Sequence, residues 1–482
     1  MTAQVRPDRD LDAVMAWFSA RADRVIETHI AAVFLIGDRA YKLKKAVDLG
    51  FLDFSTHDKR RWAIGRELEF NRRTAPDVYL DVAEVVRRPD GQLAMGEAGV
   101  ALESVLVMRR FDPEAVLSNA PERVQGDFAE ALGRQVADLH ASAEVRPGGA
   151  EGLQYVVRSN AAHLRRLAPV LGAEAIEALL HATDAEFERR KALLEARGAG
   201  GQLRRCHGDL HLANILEEDG RAILFDCIEF NDILSEIDVL YDIAFLLMDL
   251  GFRSQAGGAS RVLNGYLDQA ARSFGEAVLE GLAVLPLFMS VRAAVRAHVS
   301  AHNGEPEAAR AYVEAARRHL TWPKPELRAV GGLSGSGKST FARKLAPGLG
   351  APPGAVVLRS DEVRKRLWGR RPTDALPPEA YAPDQSQRVY GVLMREAALV
   401  LKAGRPVILD AVFLQPAERA AAQQAAQAAG VDFEGVWLDA PAEVMRQRLA
   451  GRTGDASDAD IRVLEQQLTR DPGSIGWKRP PV

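Results

Sequence analysis

The sequence predicts two units of different fold class in one chain: a two-lobed α+β unit, then an α/β unit built on a parallel sheet. Three observations predict it. Up to about Met108, short apolar strands alternate with tight turns around one long helix, and hairpins of that kind pair antiparallel. From Val124 to about Leu320 the apolar spacing is predominantly helical. After Leu327, strands and helices alternate one for one, which stacks strands in parallel with helices on both faces. At 482 residues the chain is long enough for about three domain-sized cores. The expected divisions are residues 1–110 and 111–320 for the two lobes, a linker at 321–327, and 328–482 for the α/β unit.

Taken in order, residues 8–28 read as a helix, with Val14, Trp17, Phe18 and Val25 at helical spacing. Two apolar strands then flank the turn Gly37-Asp38, a helix runs from about Lys59 to Arg73, and strands fall near 82–86 and 104–108. The helical stretch is interrupted by a strand-loop-strand region from Arg204 to Phe230. Thr321-Trp-Pro-Lys-Pro-Glu resists helix continuation and reads as the linker. Beyond it, strands are expected at 327–331, 355–358, 407–409 and 435–438, with helices at 339–345 and 362–368 and an Ala/Gln-rich helix near 420–429.

A formal net charge of -4 argues against a non-specific nucleic-acid binder. The two cysteines, Cys206 and Cys227, have no zinc-ligand spacing and read as small packing residues of a reducing compartment. The apolar stretch from Leu282 to Val291 is too short to span a bilayer. A cytoplasmic location is expected, and the oligomeric state is left open.

Gly332-x-x-x-x-Gly337-Lys338-Ser339 follows an apolar strand and opens a helix. Glycines there let backbone N–H groups close around phosphate oxygens, and the helix N-terminus adds a favourable dipole. Lys338 is expected to reach the β- and γ-phosphates and the Ser339 hydroxyl to hold Mg²⁺; Gly332, Gly335, Gly337 and Thr340 complete the nucleotide-binding set. Asp361, in Ser360-Asp361-Glu-Val-Arg364, stands at a strand's carboxyl end, where it can take the proton of an attacking hydroxyl or cap the following helix. Asp410 closes another strand and is a candidate for holding Mg²⁺ through water. Arg446, Arg448 and Arg452 lead into Gly451-Arg-Thr-Gly454, and such a segment can close over phosphates. These residues resemble the P-loop small-molecule and polynucleotide kinases, a group with gluconate-kinase-like and chloramphenicol-phosphotransferase-like members. The resemblance covers about 327–482 and implies Asp361 as base and Arg364 as phosphate ligand.

A second site lies upstream. His207-x-Asp209-x-x-x-x-Asn214 has the spacing of a kinase catalytic loop, in which the Asp receives or orients the acceptor proton and the Asn holds metal. Asp226, at the end of the apolar strand 222–225, supplies the main metal carboxylate. The form His-Gly-Asp-Leu-His-x-x-Asn-Ile-Leu, with Leu132-Gly-x-x-Val-x-x-Leu-His140 upstream, resembles the aminoglycoside phosphotransferase and choline-kinase-like superfamily over most of 25–320. That resemblance implies a two-lobed protein-kinase-like fold with ATP between the lobes. It also implies Asp209 as catalytic residue, Asn214 and Asp226 as metal ligands, Lys42 for the α/β-phosphates and Glu67 as its ion-pair partner. Two departures stand out: no G-x-G-x-x-G precedes Lys42, and the usual D-F/W-G triplet is Asp226-Cys227-Ile228. The whole chain resembles a branch in which such a half is fused to a P-loop kinase.

The expected function is a bifunctional phosphotransferase using ATP and Mg²⁺ on hydroxyls of small polar molecules, one site per half. Two alternatives stay open: one half active and the other a nucleotide-binding regulator, or a P-loop half acting on nucleic-acid or nucleoside 5′-hydroxyls. The acidic net charge and the lack of an aromatic-basic stripe in 327–482 count against the last.

Overall fold

A computed structural model describes residues 4–5, 8–49, 52–451 and 454–480. The chain divides into two compact units that do not follow sequence order. The first comprises 1–123, 143–146 and 203–242; the second comprises 124–142, 147–202 and 243–482.

The first unit is built on a six-stranded antiparallel sheet in the order Arg24–Glu27, Ala31–Ile36, Arg39–Lys44, Val100–Arg109, Tyr79–Arg87, Leu93–Met95. The single helix expected over 8–28 is corrected here: the helix is Arg9–Ser19, capped by Asp8, and Arg24–Glu27 is an edge strand. Thr28 decides this, because its backbone and hydroxyl both bond Ala31 and close a turn that folds Val25 and Ile26 back onto Val33 and Phe34. Strands 79–87 and 100–109 outrun the apolar stretches that foretold them, the first taking in exposed Asp81 and the second starting at exposed Val100 and Ala101. Phe18 stacks on Phe34 with ring centroids 5.3 Å apart, over Val14, Leu43 and Val105. Helix His57–Arg72, capped by Thr56, buries Ala63, Ile64 and Phe70, and on the same side Glu67 and Asn71. The later segment adds the hairpin Ile215–Glu218 with Arg221–Leu224 and the pair Leu203–Arg205 with Glu236–Asp238.

In the second unit, helices Gly126–Ser142 and Ala256–Phe274 pack backbone to backbone. A Cβ on Gly133 would stand 2.1 Å from the Val262 carbonyl oxygen, and one on Gly265 2.4 Å from that of Glu130. Only glycine permits that approach. The same unit holds a four-stranded parallel sheet in the order Val356–Arg359, Val407–Asp410, Glu326–Gly331, Asp432–Trp437. Residues 321–325 have no regular secondary structure, yet Trp322 packs over Gly404 and donates to the His319 carbonyl at 2.8 Å. Among the described residues, no single helix is long and apolar enough to cross a membrane.

Two candidate active sites

The first site sits where the antiparallel sheet meets the strand-loop-strand segment. Alternation along Arg39–Lys44 puts Lys42 and Lys44 on one face and sends Lys45 to Glu27. Lys42 Nζ lies 2.5 Å from Glu67 Oε1 and 2.9 Å from Asp226 Oδ1. Lys44 Nζ, wholly buried, lies 2.6 Å from both Glu67 Oε2 and Glu229 Oε1. Burial opposes the charge on Lys42, but Asp226 and Glu67 outweigh it and hold the amine well above the ordinary lysine range. Glu67 is likewise opposed by burial and held below the usual carboxylate range by the two lysines. An isolated buried ion would be costly, so the alternating chain of charges is what lets these groups stay ionised.

Asp226 occupies the left-handed region with φ 61°, a conformation aspartate tolerates better than most residues. Its N–H donates to the Tyr79 hydroxyl at 3.1 Å, and the next N–H donates to Asn71 Oδ1 at 2.8 Å. Those bonds turn the Asp226 carboxylate toward Lys42. Asn214 donates from one amide nitrogen to both the Asp209 carbonyl and Asp209 Oδ2, each at 2.9 Å. The loop is seated from below: Asp242 accepts the N–H groups of His207 and Gly208 at 3.1 and 2.9 Å, and His207 Nε2 bonds the Phe225 carbonyl at 2.9 Å. Cys206 and Cys227 are both buried, and the Cys206 thiol donates to the Ile237 carbonyl at 3.5 Å.

The second site is a cavity of about 1110 Å³ at the carboxyl edge of the parallel sheet, lined by Gly335, Gly337, Lys338, Ser339 and Thr340 on one side and Asp361, Arg364 and Asp410 on another. Gly332 (φ 142°) and Gly337 (φ 94°) hold the loop, and a Cβ on Gly332 would meet the Leu438 carbonyl oxygen at 2.6 Å. Lys338 Nζ donates to the Leu333 carbonyl at 2.9 Å, folded back over its own loop. Asp361 does not cap its helix: Ser360–Leu367 begins one residue earlier, with Arg359 at the N-cap position. Burial pushes the Asp361 carboxyl above the ordinary aspartate range. Arg364 lines the cavity while donating to the Ala380 carbonyl at 2.5 Å and lying over the Tyr381 ring, 4.8 Å from its centroid.

One arginine expectation is corrected. Arg446 is paired with Glu465 at 2.7 Å and with Glu443, and does not line the cavity. Two positions along the same helix, on another face, Arg448 reaches the carbonyls of Gly335 and Ser336 at 3.3 and 3.2 Å. Arg452 lies outside the described residues.

Sequence reasoning missed Arg359. It is wholly buried and donates to Asp410 Oδ2 (3.2 Å), Glu362 Oε1 (3.0 Å), Asp455 Oδ1 (2.8 Å) and Ser339 Oγ (3.1 Å). Burial works against its charge, but the surrounding carboxylates hold it ionised, and Asp455 is drawn down to about 2. Its neighbour Glu362 faces Arg134, 3.8 Å away, while Glu130 takes Arg261 and Arg343, each at 2.8 Å. The only hint in the sequence was its place next to Ser360-Asp361.

Comparisons with known proteins find two different domains on one chain. The family described as "Phosphotransferase enzyme family" matches residues 58–282, and the one described as "AAA domain" matches 327–471. An uncharacterized protein of Mycobacterium tuberculosis is 34% identical over 468 residues, covering 92% of this chain and 89% of its own. An uncharacterized protein of Mycobacterium bovis matches with the same figures. The chain belongs to the same family as these mycobacterial proteins and carries a phosphotransferase domain followed by an AAA-type P-loop domain.

Among solved structures, a thermostable mutant of aminoglycoside phosphotransferase APH(4)-Ia is similar over 65% of this chain and 98% of its own, with 13% identity and a TM-score of 0.39. A glucosamine kinase covers 62% of this chain and 74% of its own at 16% identity and TM-score 0.38. The Mycobacterium tuberculosis APS kinase covers 26% and 69% at 27% identity and TM-score 0.20. Members of this family are enzymes that transfer phosphoryl groups to hydroxyl acceptors, and this chain is one. The residues expected to hold a metal all offer hard oxygen donors: Asn214 and Asp226 in one site, Ser339 and Asp410 in the other. Such a set fits Mg²⁺ and does not suit a thiophilic ion.

Proposed function

We propose that the chain carries two kinase sites, each transferring a phosphoryl group from ATP to a hydroxyl of a small polar molecule. The observation that carries the reading is that each half holds its own complete set of groups. Lys42, Glu67, Asp226, Asp209 and Asn214 are linked by ion pairs and hydrogen bonds within the first unit. Ser334, Gly335 and the run Gly337–Thr340, with Asp361 and Asp410, line one cavity in the second.

In each, the acceptor oxygen forms the new O–P bond, its proton passes to Asp209 or Asp361, and the bond to the bridging oxygen breaks to release ADP. Lys42 and Lys338 would hold the donor's phosphates, and Mg²⁺, when bound by the oxygen donors named above, offsets charge on them. Little else is required of the protein, because phosphoryl transfer is mainly a matter of position and charge.

The test is ADP release with a library of sugars, amino sugars and nucleosides, run on Asp209→Ala and Lys338→Ala variants. Two acceptor-dependent activities, each abolished by one substitution and untouched by the other, are expected. Loss of every activity in Asp209→Ala, with Lys338→Ala changing only its nucleotide response, would instead make the P-loop half a regulator.

A further inference from the structure

Lys44 and Glu229 form a buried ion pair beside the first site that a lysine for the donor's phosphates does not by itself call for. Lys44 is 2% exposed and Glu229 4%, and the Lys44 ammonium lies 5.3 Å from the centroid of the Phe54 ring. Burial works against that ammonium, but Glu229 and Glu67 outweigh it and raise the lysine above its ordinary range. Replacing a buried ion pair by apolar side chains is often neutral or stabilising, so stability alone does not account for this one. Its place does. Lys44 stands against Glu67, the same carboxylate that pairs with Lys42.

The two oxygens of Glu67 are unequally engaged. Oε1 accepts a hydrogen bond from Lys42 at 2.5 Å. Oε2 lies 2.6 Å from Lys44 Nζ, yet off the hydrogen-bond direction, and no described group donates to it. Lys44 donates instead to Glu229 Oε1, also at 2.6 Å. Glu229 thus competes with Glu67 for one ammonium and holds it off. With Glu229 neutral, the stronger acceptor left to Lys44 is the Glu67 carboxylate, and a hydrogen bond there draws Glu67 away from Lys42. Glu229 is itself held in place by its backbone. Asn71, one turn beyond Glu67 on the same helix, donates to the Glu67 carbonyl at 2.9 Å and accepts the Cys227 N–H at 2.8 Å. That bond fixes the segment 226–229 against the helix that carries Glu67.

We propose that Lys44 and Glu229 are positioning residues for the phosphate lysine of the first site. Glu229 holds Lys44, Lys44 balances the outer oxygen of Glu67, and Glu67 keeps Lys42 directed at Asp226 and the donor's phosphates. On the reading that the first site binds ATP, on which this assignment rests, neither residue needs to touch the nucleotide; both act through Glu67.

The test measures affinity for ATP and for adenosine by calorimetry with Mg²⁺ present, on the full chain carrying Lys338→Ala to silence the second site. This parent should bind one equivalent of ATP and lose it when Lys42→Met is added. Failure of either overturns the first-site reading itself, and the assignment with it. Glu229→Gln keeps the side chain's shape and should weaken ATP about tenfold, a usual coupling within one ion-pair network, while adenosine, with no phosphate for Lys42, binds as before. Glu229→Asp keeps the charge and should stay nearer the parent. Lys44→Met with Glu229→Met removes both partners and returns Glu67 to Lys42 alone, so ATP affinity should recover to within about threefold of the parent. A merely structural pair would make that double variant at least as damaging as the single one and would weaken adenosine equally. With the parent binding as expected, three results overturn the assignment: equal ATP affinity in Glu229→Gln and parent, a Glu229→Asp variant weaker than Glu229→Gln, or a double variant no better than Glu229→Gln.

Discussion

Asp361 shows how much a single side chain's surroundings matter. Its motif allowed capping beside the favoured proton acceptance, and the observed helix start removes capping by placing Arg359 at the N-cap. A carboxyl raised by burial accepts a proton more readily than an ordinary aspartate, whose pKa is about 3.9. The carboxylate is the working form, so activity of the P-loop half should fall as pH drops through that raised value, giving an acid limb above the ordinary aspartate range in a pH–rate profile. Asp361→Asn should cost about 10²–10⁴ in rate and remove that limb. An unshifted limb in Asp361→Asn would assign it to another group. Arg359, one residue earlier than the helix, was barely legible, because nothing in a local pattern says that an arginine beside Glu362 will also meet Asp410 and Asp455 from distant segments. Arg359→Met would leave Asp410, Asp455 and Glu362 buried without their common partner. The expected loss is about 3–5 kcal/mol, read as a lower denaturant midpoint.

At the scale of elements, Leu132-Gly133-x-x-Val136 entered only as part of a helix resembling the superfamily's, with no role for its glycine. Its glycine is there for the neighbouring helix, whose Val262 carbonyl occupies the place of a side chain. Gly265 plays the reciprocal part against Glu130, and Gly265→Ala should destabilise by about 1–3 kcal/mol because two backbones would have to separate. Gly257, on the same helix, has no described atom within 4 Å of where an added methyl group would stand. Gly257→Ala is therefore the control, neutral or stabilising by up to about 1 kcal/mol. Thermal melts of the pair distinguish close approach from helix propensity. The expectation over 8–28 failed at this scale for a related reason. Val25 and Ile26 satisfy a helical period, but the Thr28 turn offers them a sheet edge, and pairing with 31–36 outweighs propensity.

At the scale of the molecule, sequence order and compactness part company. Residues 124–142, 147–202 and 243–320 share one compact unit with the parallel sheet, and the join is specific. Asn264 accepts from the Val357 N–H at 2.7 Å and donates to the Ala355 carbonyl at 3.2 Å, covering an edge strand, while Arg366 bridges Asp268 and Glu396. An uncovered strand edge invites association with other chains. A fragment of 321–482 should therefore melt several degrees below the full chain and self-associate; equal melting temperatures and a monomeric profile in gel filtration would show the join to be incidental.

The sequence by itself determined the two fold classes and both phosphate-handling motifs, and named the groups expected to meet ATP, because those depend on short-range order: a glycine pattern before a helix, an Asp and Asn at fixed spacing, a strand ending in Asp. Only the tertiary structure decided that Lys44 and Glu229 extend the Lys42–Glu67 pair, that Arg448 rather than Arg446 faces the loop, and that Arg359 gathers the carboxylates. These follow from burial and charge balance among residues far apart in the chain, where the cost of an unpaired ion selects the partner and no local pattern records it.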